Sequence, residues 1–218
     1  MFWTLFAIFL VANQTLGPSR PGDWPAKPDA TLKGMHRPPL KHCRCCGTAA
    51  VYRLPDDGDT KVRAVCPSCN TVHYENPLNV VGTVPTWGED GAQVLLCKRN
   101  IEPRLGKWTL PAGFMEMGET TAEGAARETV EEAGAQFEMH ELFTLMNVRR
   151  VGQLHLFYRA SLLGTDFDPG YETMEAKLFT EAEIPWDEIA FKTVKETLTL
   201  YFADRRAGSF GFHAVDID

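Results

Sequence analysis

Residues 113–135 read GFMEMGETTAEGAARETVEEAGA. The stretch begins as a loop between Gly113 and Gly118 and turns into a helix. Thr120 suits the N-cap, because its hydroxyl can accept an orphaned first-turn N–H, and Glu123 three residues on completes a capping box. Gly134 stands where a left-handed C-terminal cap is wanted. A helix is therefore expected over Thr120 to Ala133. Its composition is costly. Arg127, Glu128, Glu131 and Glu132 fall within a turn and a half, and Glu128 lies three and four residues from the other two glutamates. Like charges at that spacing repel by about 0.2–0.5 kcal/mol per pair. One reading is a solvated acidic face with an Arg127–Glu131 pair. The other is a set of oxygens gathered for a hard divalent cation, since Mg²⁺ takes one or two carboxylates and leaves its other positions to water and phosphate. The glycine-bounded loop, whose backbone a ligand can approach closely, favours the second.

Outward from this helix, strand and helix patterns alternate. Asn79 to Val84 and Gln93 to Lys98 read as strands joined by the turn Trp87 to Gly91. Trp108 and Leu110 suggest a strand that ends in the tight loop Pro111-Ala112-Gly113. Leu142 to Val148 and Gln153 to Leu162 are further strands. Phe191 to Ala203 is a second helix, with Phe191, Val194, Leu198, Tyr201 and Phe202 at helical spacing. Strands interleaved with two helices make an α/β layered domain.

Upstream, five of the six cysteines lie close together, at 43, 45, 46, 66 and 69. Cys43 with Cys46 and Cys66 with Cys69 form two C-x2-C pairs. Two such turns can present four thiolates to one tetrahedral Zn²⁺. Short strands are expected between them, over Ala49 to Leu54 and Lys61 to Val65, around the turn Pro55 to Gly58. A structural zinc leaves no open position, so folding rather than chemistry is expected here. The rival is a disulfide pair, which requires an oxidising compartment. Cys45 is then a spare thiol, His42 and His73 are bystanders, and Cys97 is a buried strand residue.

Residues 1–40 are expected to be a leader or linker. Residues 1–12 are apolar but no Lys or Arg precedes them, which argues against a secretory signal. Six prolines between Pro18 and Pro39 read as extended chain. A start at Met35 is the other reading of this segment. The expected domains are residues 41–74 for the cysteine module and 75–218 for the α/β domain. The chain has 218 residues, 44% hydrophobic and 23% charged, enough for one main domain with a small module. Its net charge of −7 argues against non-specific capture of nucleic acid or anionic membrane. No apolar run reaches the ~20 residues of a spanning helix. The cytoplasm is the expected location, and a homodimer is compatible with the sequence.

Gly113, five residues, Glu119, seven residues and then Arg127 to Ala135 resemble the Nudix box, G-x5-E-x7-R-E-U-x-E-E-x-G-U with U aliphatic. Thr129 departs from the aliphatic position and Ala135 is small for the last one; both concern helix packing. The cysteine module, YENPLNVVG, VLLCKRNIEPRLGKWTLPAGFMEMGET and EIPWDEIAF extend the likeness over residues 41–213 to a Nudix subgroup with an N-terminal zinc ribbon, which includes ADP-ribose and FAD pyrophosphatases. The resemblance implies an α/β/α sandwich with a mixed sheet behind a zinc-ribbon module. It implies metal-dependent cleavage of a nucleoside diphosphate linked to another moiety, FAD or ADP-ribose, with release of AMP. NADH or NAD-capped RNA, and binding of a nucleotide sugar without cleavage, are the alternatives.

By the same likeness Glu128, Glu131 and Glu132 hold Mg²⁺ or Mn²⁺, with Glu119 and the Ala112 carbonyl as further ligands. Arg127 orients a glutamate of the cluster. Glu131, or a glutamate of a later loop with the sequence PGYETMEAKLF, is the general base, Glu175 being preferred to Glu172. Trp108, Phe114 and Tyr158 could stack on a base or flavin, and Arg99 and Arg104 could meet phosphate. The SQPWPFPxS array of zinc-ribbon NADH pyrophosphatases has no counterpart between Gln136 and Leu163. The cysteine module mixes Lys41, Arg44, Arg53, Lys61 and Arg63 with Asp56, Asp57, Asp59 and Glu75, so no basic stripe for nucleic acid is expected.

Overall fold

The structure, a computed structural model, describes residues 39–217. The leader expected over residues 1–40 lies almost wholly outside the described residues, as do the expectations attached to Met35 and to the apolar segment before it.

Three short antiparallel strands form the first module: β1 (Val51–Arg53), β2 (Arg63–Val65) and β3 (Val72–His73). They support two tight cysteine turns, each closed by a backbone bond from the residue after the pair to its first cysteine, Gly47 N to Cys43 O at 2.9 Å and Asn70 N to Cys66 O at 3.0 Å.

The second module is a mixed sheet. Its strands are β4 (Leu78–Trp87), β5 (Gln93–Arg99), β6 (Trp108–Thr109), β7 (Ala112–Phe114), β8 (Phe137–Val148), β9 (Gln153–Leu162), β10 (Thr173–Thr180) and β11 (His213–Ile217), with the helices α1 (Thr121–Ala133) and α2 (Lys192–Ala207). The order is β10-β5-β4-β9-β8-β11. β4 runs parallel to β9 and β8 parallel to β11; the remaining pairs are antiparallel. The two cores lie on opposite faces. Along β5, Val94 and Leu96 join Leu198, Tyr201 and Phe202 of α2. Leu95 and Cys97, one residue out of phase, join Ala133 in α1's last turn. This period of two gives the α/β/α layering. Truncating Leu198, fully buried, to alanine would cost about 2–5 kcal/mol.

One irregularity makes the site. β4 pairs with β5 only at Thr86 and Trp87, and with β7 at Val80 to Gly82. Pro85, with no N–H to donate, falls between the two ladders. β4 and β5 therefore part, and β6 and β7 fill the opening. Gly82 lets them close, because a Cβ there would collide with Ala112 and the Pro111 carbonyl.

The expected first helix, its Thr120–Glu123 capping box and its Gly134 cap are all present. β9 has the expected limits, whereas β8 begins at Phe137 rather than Leu142. The segment around Glu175, expected to be a loop, is the edge strand β10. Only its approach, residues 164–172, is irregular.

Candidate active site and cysteine knuckles

Helix α1 and the loop before it are locked by one arginine. Arg127 Nε and Nη2 donate to Glu119 Oε2 and Oε1 at 3.1 and 2.9 Å. Its Nη1 donates to Glu128 at 2.7 Å and Glu131 at 3.3 Å, and Nη2 also reaches the Phe114 carbonyl at 3.2 Å. Glu119 further accepts the Glu116 N–H at 2.6 Å. Its pKa is held low, first by the hydrogen bond from Arg127. Both Glu119 oxygens are thus committed to holding loop and helix together.

The glutamates differ in surroundings. Glu132 is 7% exposed, and its Oε2 accepts the Ala112 N–H at 3.1 Å. Burial pushes its pKa up to about 8, with the charges of Glu128 and Glu172 adding to the rise. Glu128 lies beneath Gly113, where any Cβ would strike its carboxylate. Burial raises its pKa too, against the pull of Arg127. Glu131 reaches solvent, with its side chain 59% exposed. The glutamate carboxylates are not drawn together as the cysteine sulfurs are, and Glu128 and Glu131 are instead each held on Arg127. The donor set suits a hard divalent cation: acidic oxygens, one in the buried Glu132 and one in the partly buried Glu128, beside a splayed strand pair.

Glu172 and Glu175 are separated by the start of β10 and by a bulge between Thr173 and Glu175. Asp168 N and Gly170 N donate to the Ala133 and Glu131 carbonyls at 3.1 Å each, so the segment before β10 caps the end of α1. Asn100 then holds the Glu172 carbonyl at 2.7 Å. Glu172 is brought near enough to raise the pKa of Glu128 and Glu132. Glu175 pairs with Lys98, in phase with Lys177 and Phe179, which face the α2 core. Its backbone position is on the sheet face away from α1.

The other candidates also separate. Trp108 is 6% exposed and packs edge-on against Phe179 in the core. Tyr158 is partly buried and shares a 2.6 Å hydrogen bond with Thr121. Phe114 is 53% exposed at the loop. Arg99 stacks on Phe191, donates to the Pro103 carbonyl at 2.9 Å, and lowers the pKa of Glu132 through its charge. Arg104 holds a positive φ of 70° in the same loop. Thr129, the departure in the helix, is fully buried and satisfied, sharing 2.7 Å bonds with the Thr83 hydroxyl and the Ala125 carbonyl. Ala135 is buried in the α1-side core.

In the first module the Sγ atoms of Cys43, Cys46, Cys66 and Cys69 lie within 4.8 Å of one another. Neighbouring sulfurs are 3.4–3.7 Å apart. Tetrahedral Zn–S bonds of ~2.3 Å place sulfurs at about that separation. All six cysteines are free thiols, which leaves no disulfide framework. Cys45 N and Cys69 N turn toward the sulfurs of Cys43 and Cys66 at 3.3 and 3.4 Å. His73, expected to be a bystander, is buried with Nε2 3.3 Å from Cys43 Sγ, so it supports a ligand from behind. Arg53 and Arg63 pair with Asp56 and Asp59, and no basic stripe is formed by them.

A mixed sheet between two helices, an acidic helix pinned to a glycine loop and a four-cysteine knuckle define a two-module protein of the Nudix-with-ribbon class. The NUDIX domain model matches residues 77–198 and the Nudix N-terminal model residues 41–75. The chain belongs to the Nudix family. It is similar to a crystal structure of a NUDIX hydrolase from Nitrosomonas europaea, at 47% identity and a TM-score of 0.77, over 82% of this chain and 99% of that one. It is 29% identical to the NAD-capped RNA hydrolase NudC of Photobacterium profundum, over 75% of this chain and 60% of that protein. It is also 29% identical to an ADP-ribose pyrophosphatase of Methanocaldococcus jannaschii, over 44% of this chain and 60% of that one. The chain thus spans about 60% of the length of these two curated relatives. Among the described residues, no helix is long and apolar enough to cross a membrane.

Proposed function

We propose that the chain hydrolyses the phosphoanhydride of a nucleoside diphosphate linked to another moiety, ADP-ribose or FAD, and releases AMP. The observation that carries this reading is the buried Glu132 carboxylate, held by the Ala112 N–H with Glu128 beside it. A buried acid with its pKa raised to about 8 is costly to the fold unless its charge serves a ligand. Glu128, Glu131 and Glu132 would hold Mg²⁺ or Mn²⁺, with the Ala112 carbonyl as a further ligand. When bound, such an ion neutralises phosphate charge and lowers the pKa of a coordinated water. Arg127 keeps Glu128 and Glu131 oriented, and Glu119 keeps Arg127 in place. A glutamate takes the proton from the attacking water; its oxygen bonds to phosphorus as the bridging P–O bond breaks and the second phosphate leaves. Glu172 is favoured over Glu175 for that base role, because it follows the Gly170 anchor on α1 by two residues and its charge reaches Glu128 and Glu132.

The ADP-ribose reading is supported by the relative of that name. NADH or NAD-capped RNA has support from the other. Against it, β8 and β9 are joined by the short turn Arg149 to Gly152, which carries no SQPWPFPxS-like array. The zinc knuckle needs reduced thiols, which suits the cytoplasm. The deciding experiment incubates the protein with Mg²⁺ and, separately, FAD, ADP-ribose and NADH, and follows AMP by chromatography. AMP from ADP-ribose or FAD is expected. Binding without AMP release from any of them would overturn hydrolysis in favour of a sensor.

A further inference from the structure

Far from the carboxylates, at the other end of the splayed strand pair, lies a groove of about 560 Å³. β5 spans the two places, with Arg99 at the carboxylate end and Gln93 at the groove end. Six residues of strand separate them, about 20 Å. None of the groove's lining residues belongs to the Nudix box.

The groove is built rather than incidental. Gly88, Gly91 and Gly208 line it with positive φ, so no side chain fills it from those points. A Cβ on Gly91 would strike the Tyr201 hydroxyl, which instead donates to the Gly91 carbonyl at 2.8 Å. The loop after α2 is pinned by Asp204, whose Oδ2 binds the Gly211 N–H at 2.9 Å and His213 Nε2 at 2.8 Å. This sets Phe210 against Tyr201, ring centroids 5.4 Å apart, with the Arg159 guanidinium 4.2 Å from the Phe210 centroid.

Two cations converge there in a chain of net charge −7. Arg159 is three-quarters buried with its guanidinium over the Phe210 ring, and its ion partner Glu141 is 79% exposed. Such a pair contributes little and exchanges readily for a better anion. Arg205 spends Nε on the Asp90 carbonyl at 2.9 Å, which orients its two terminal amino groups. The one lining carboxylate is Asp90. An adjoining cavity of about 290 Å³ shares Thr86, Gly88, Gly91 and Ser161 and adds Trp87 and Leu162. The combined cleft has a guanidinium end and an apolar, aromatic end. Paired guanidinium groups match the oxygens of a phosphate, and the Trp87 indole, half-buried against the α1-side core, is the aromatic group at the apolar end.

We infer that this cleft is a second ligand site, for a small phosphate ester carrying a flat ring, such as a nucleoside monophosphate. It is independent of the hydrolytic reading, because it shares no residue with the carboxylate site.

The test titrates AMP and inorganic phosphate into the zinc-loaded protein without Mg²⁺, following the Trp87 indole N–H by NMR, assigned with Trp87→Phe. A saturable shift with a Kd below about 1 mM is expected for AMP, weaker for phosphate, and competitive between the two. Arg159→Gln/Arg205→Gln should weaken AMP by at least about tenfold, and Glu132→Gln should bind as wild type. If the double variant fails to fold, Arg205→Gln alone, which leaves the Phe210 stack intact, carries the same expectation at a smaller size. Absence of a saturable shift, unchanged affinity in the arginine variants, failure of phosphate to compete, or loss of the shift in Glu132→Gln would each overturn the inference.

Discussion

Glu119 and Arg127 are joined by two near-parallel hydrogen bonds, at 2.9 and 3.1 Å, across the turn where the glycine loop enters α1. Arg127 binds Glu128 and Glu131 as well, so this bond sets how the acidic cluster is presented. Arg127→Lys keeps the charge but cannot make the fork. The apparent Mg²⁺ activation constant should rise about 10–100-fold, the range for losing a residue that orients metal ligands. The metal dependence of turnover measures it. Unchanged metal dependence would mean that the arginine only braces the helix.

Glu132 separates stability from activity. Glu132→Gln keeps an acceptor for the Ala112 N–H and removes an acid whose ionised form the burial disfavours. Turnover should fall by at least about a thousandfold, since metal-borne charge stabilisation amounts to several kcal/mol at ~1.4 kcal/mol per factor of ten. The melting temperature without Mg²⁺ should be no lower than wild type. An active variant, or one that unfolds, would refute the assignment.

Thr129 and Thr83 behave as a unit. Each is fully buried, and their hydroxyls share a 2.7 Å bond between α1 and β4. Thr129→Val alone strands the Thr83 hydroxyl and should cost about 1–3 kcal/mol. The double change to valine, which restores the aliphatic position of the family box, should recover most of that loss. Denaturant midpoints of the four proteins test this as a double-mutant cycle.

The cysteine module should lose order before the α/β domain does. Its strands are two or three residues long and its buried side chains are few, so the four metal–sulfur bonds that a zinc ion would make there are expected to be the main source of its stability. On treatment with a strong chelator, followed by restored Mg²⁺, amides of residues 41–74 should lose hydrogen-exchange protection while α1 and β4 keep theirs. Simultaneous loss in both modules would show that the knuckle braces the catalytic domain.

What the sequence disclosed and what it hid follow from range. α1 was legible because its cap, its carboxylate spacing and its terminal glycine are local. The cysteine pairs were legible because ligand spacing is a turn property. β10 read as a loop because it is an edge strand: Met174, Glu175 and Lys177 are exposed, Ala176 and Leu178 are half-covered, and only Thr173 and Phe179 of its residues are buried. β11 is a five-residue strand paired only with β8. The carboxylate that Arg127 chelates lies eight residues back in the loop, beyond the helical spacing that pointed to Glu131. Trp108 showed an aromatic beside the loop, but only the splay of β4 from β5 sends it inward.

His155 on β9 gives the fold an acid limit that is separate from the carboxylates. It is largely buried between β9 and α2, with Nδ1 3.1 Å from the Thr193 hydroxyl and Nε2 2.9 Å from Gln153 Oε1. Burial lowers its pKa from 6.5 to about 4. The unfolded chain therefore binds a proton near pH 6.5 that the folded chain refuses until about pH 4. The native state is unpenalised above pH 6.5, loses stability as the pH falls from there, and levels off below about 4. The full loss is about 3 kcal/mol at ~1.4 kcal/mol per pKa unit. His155→Gln, which can still bond one neighbour but does not titrate, should flatten the stability profile between pH 6.5 and 4 relative to wild type. Urea midpoints across that window measure the difference, and parallel profiles would show that the imidazole is protonated in the fold.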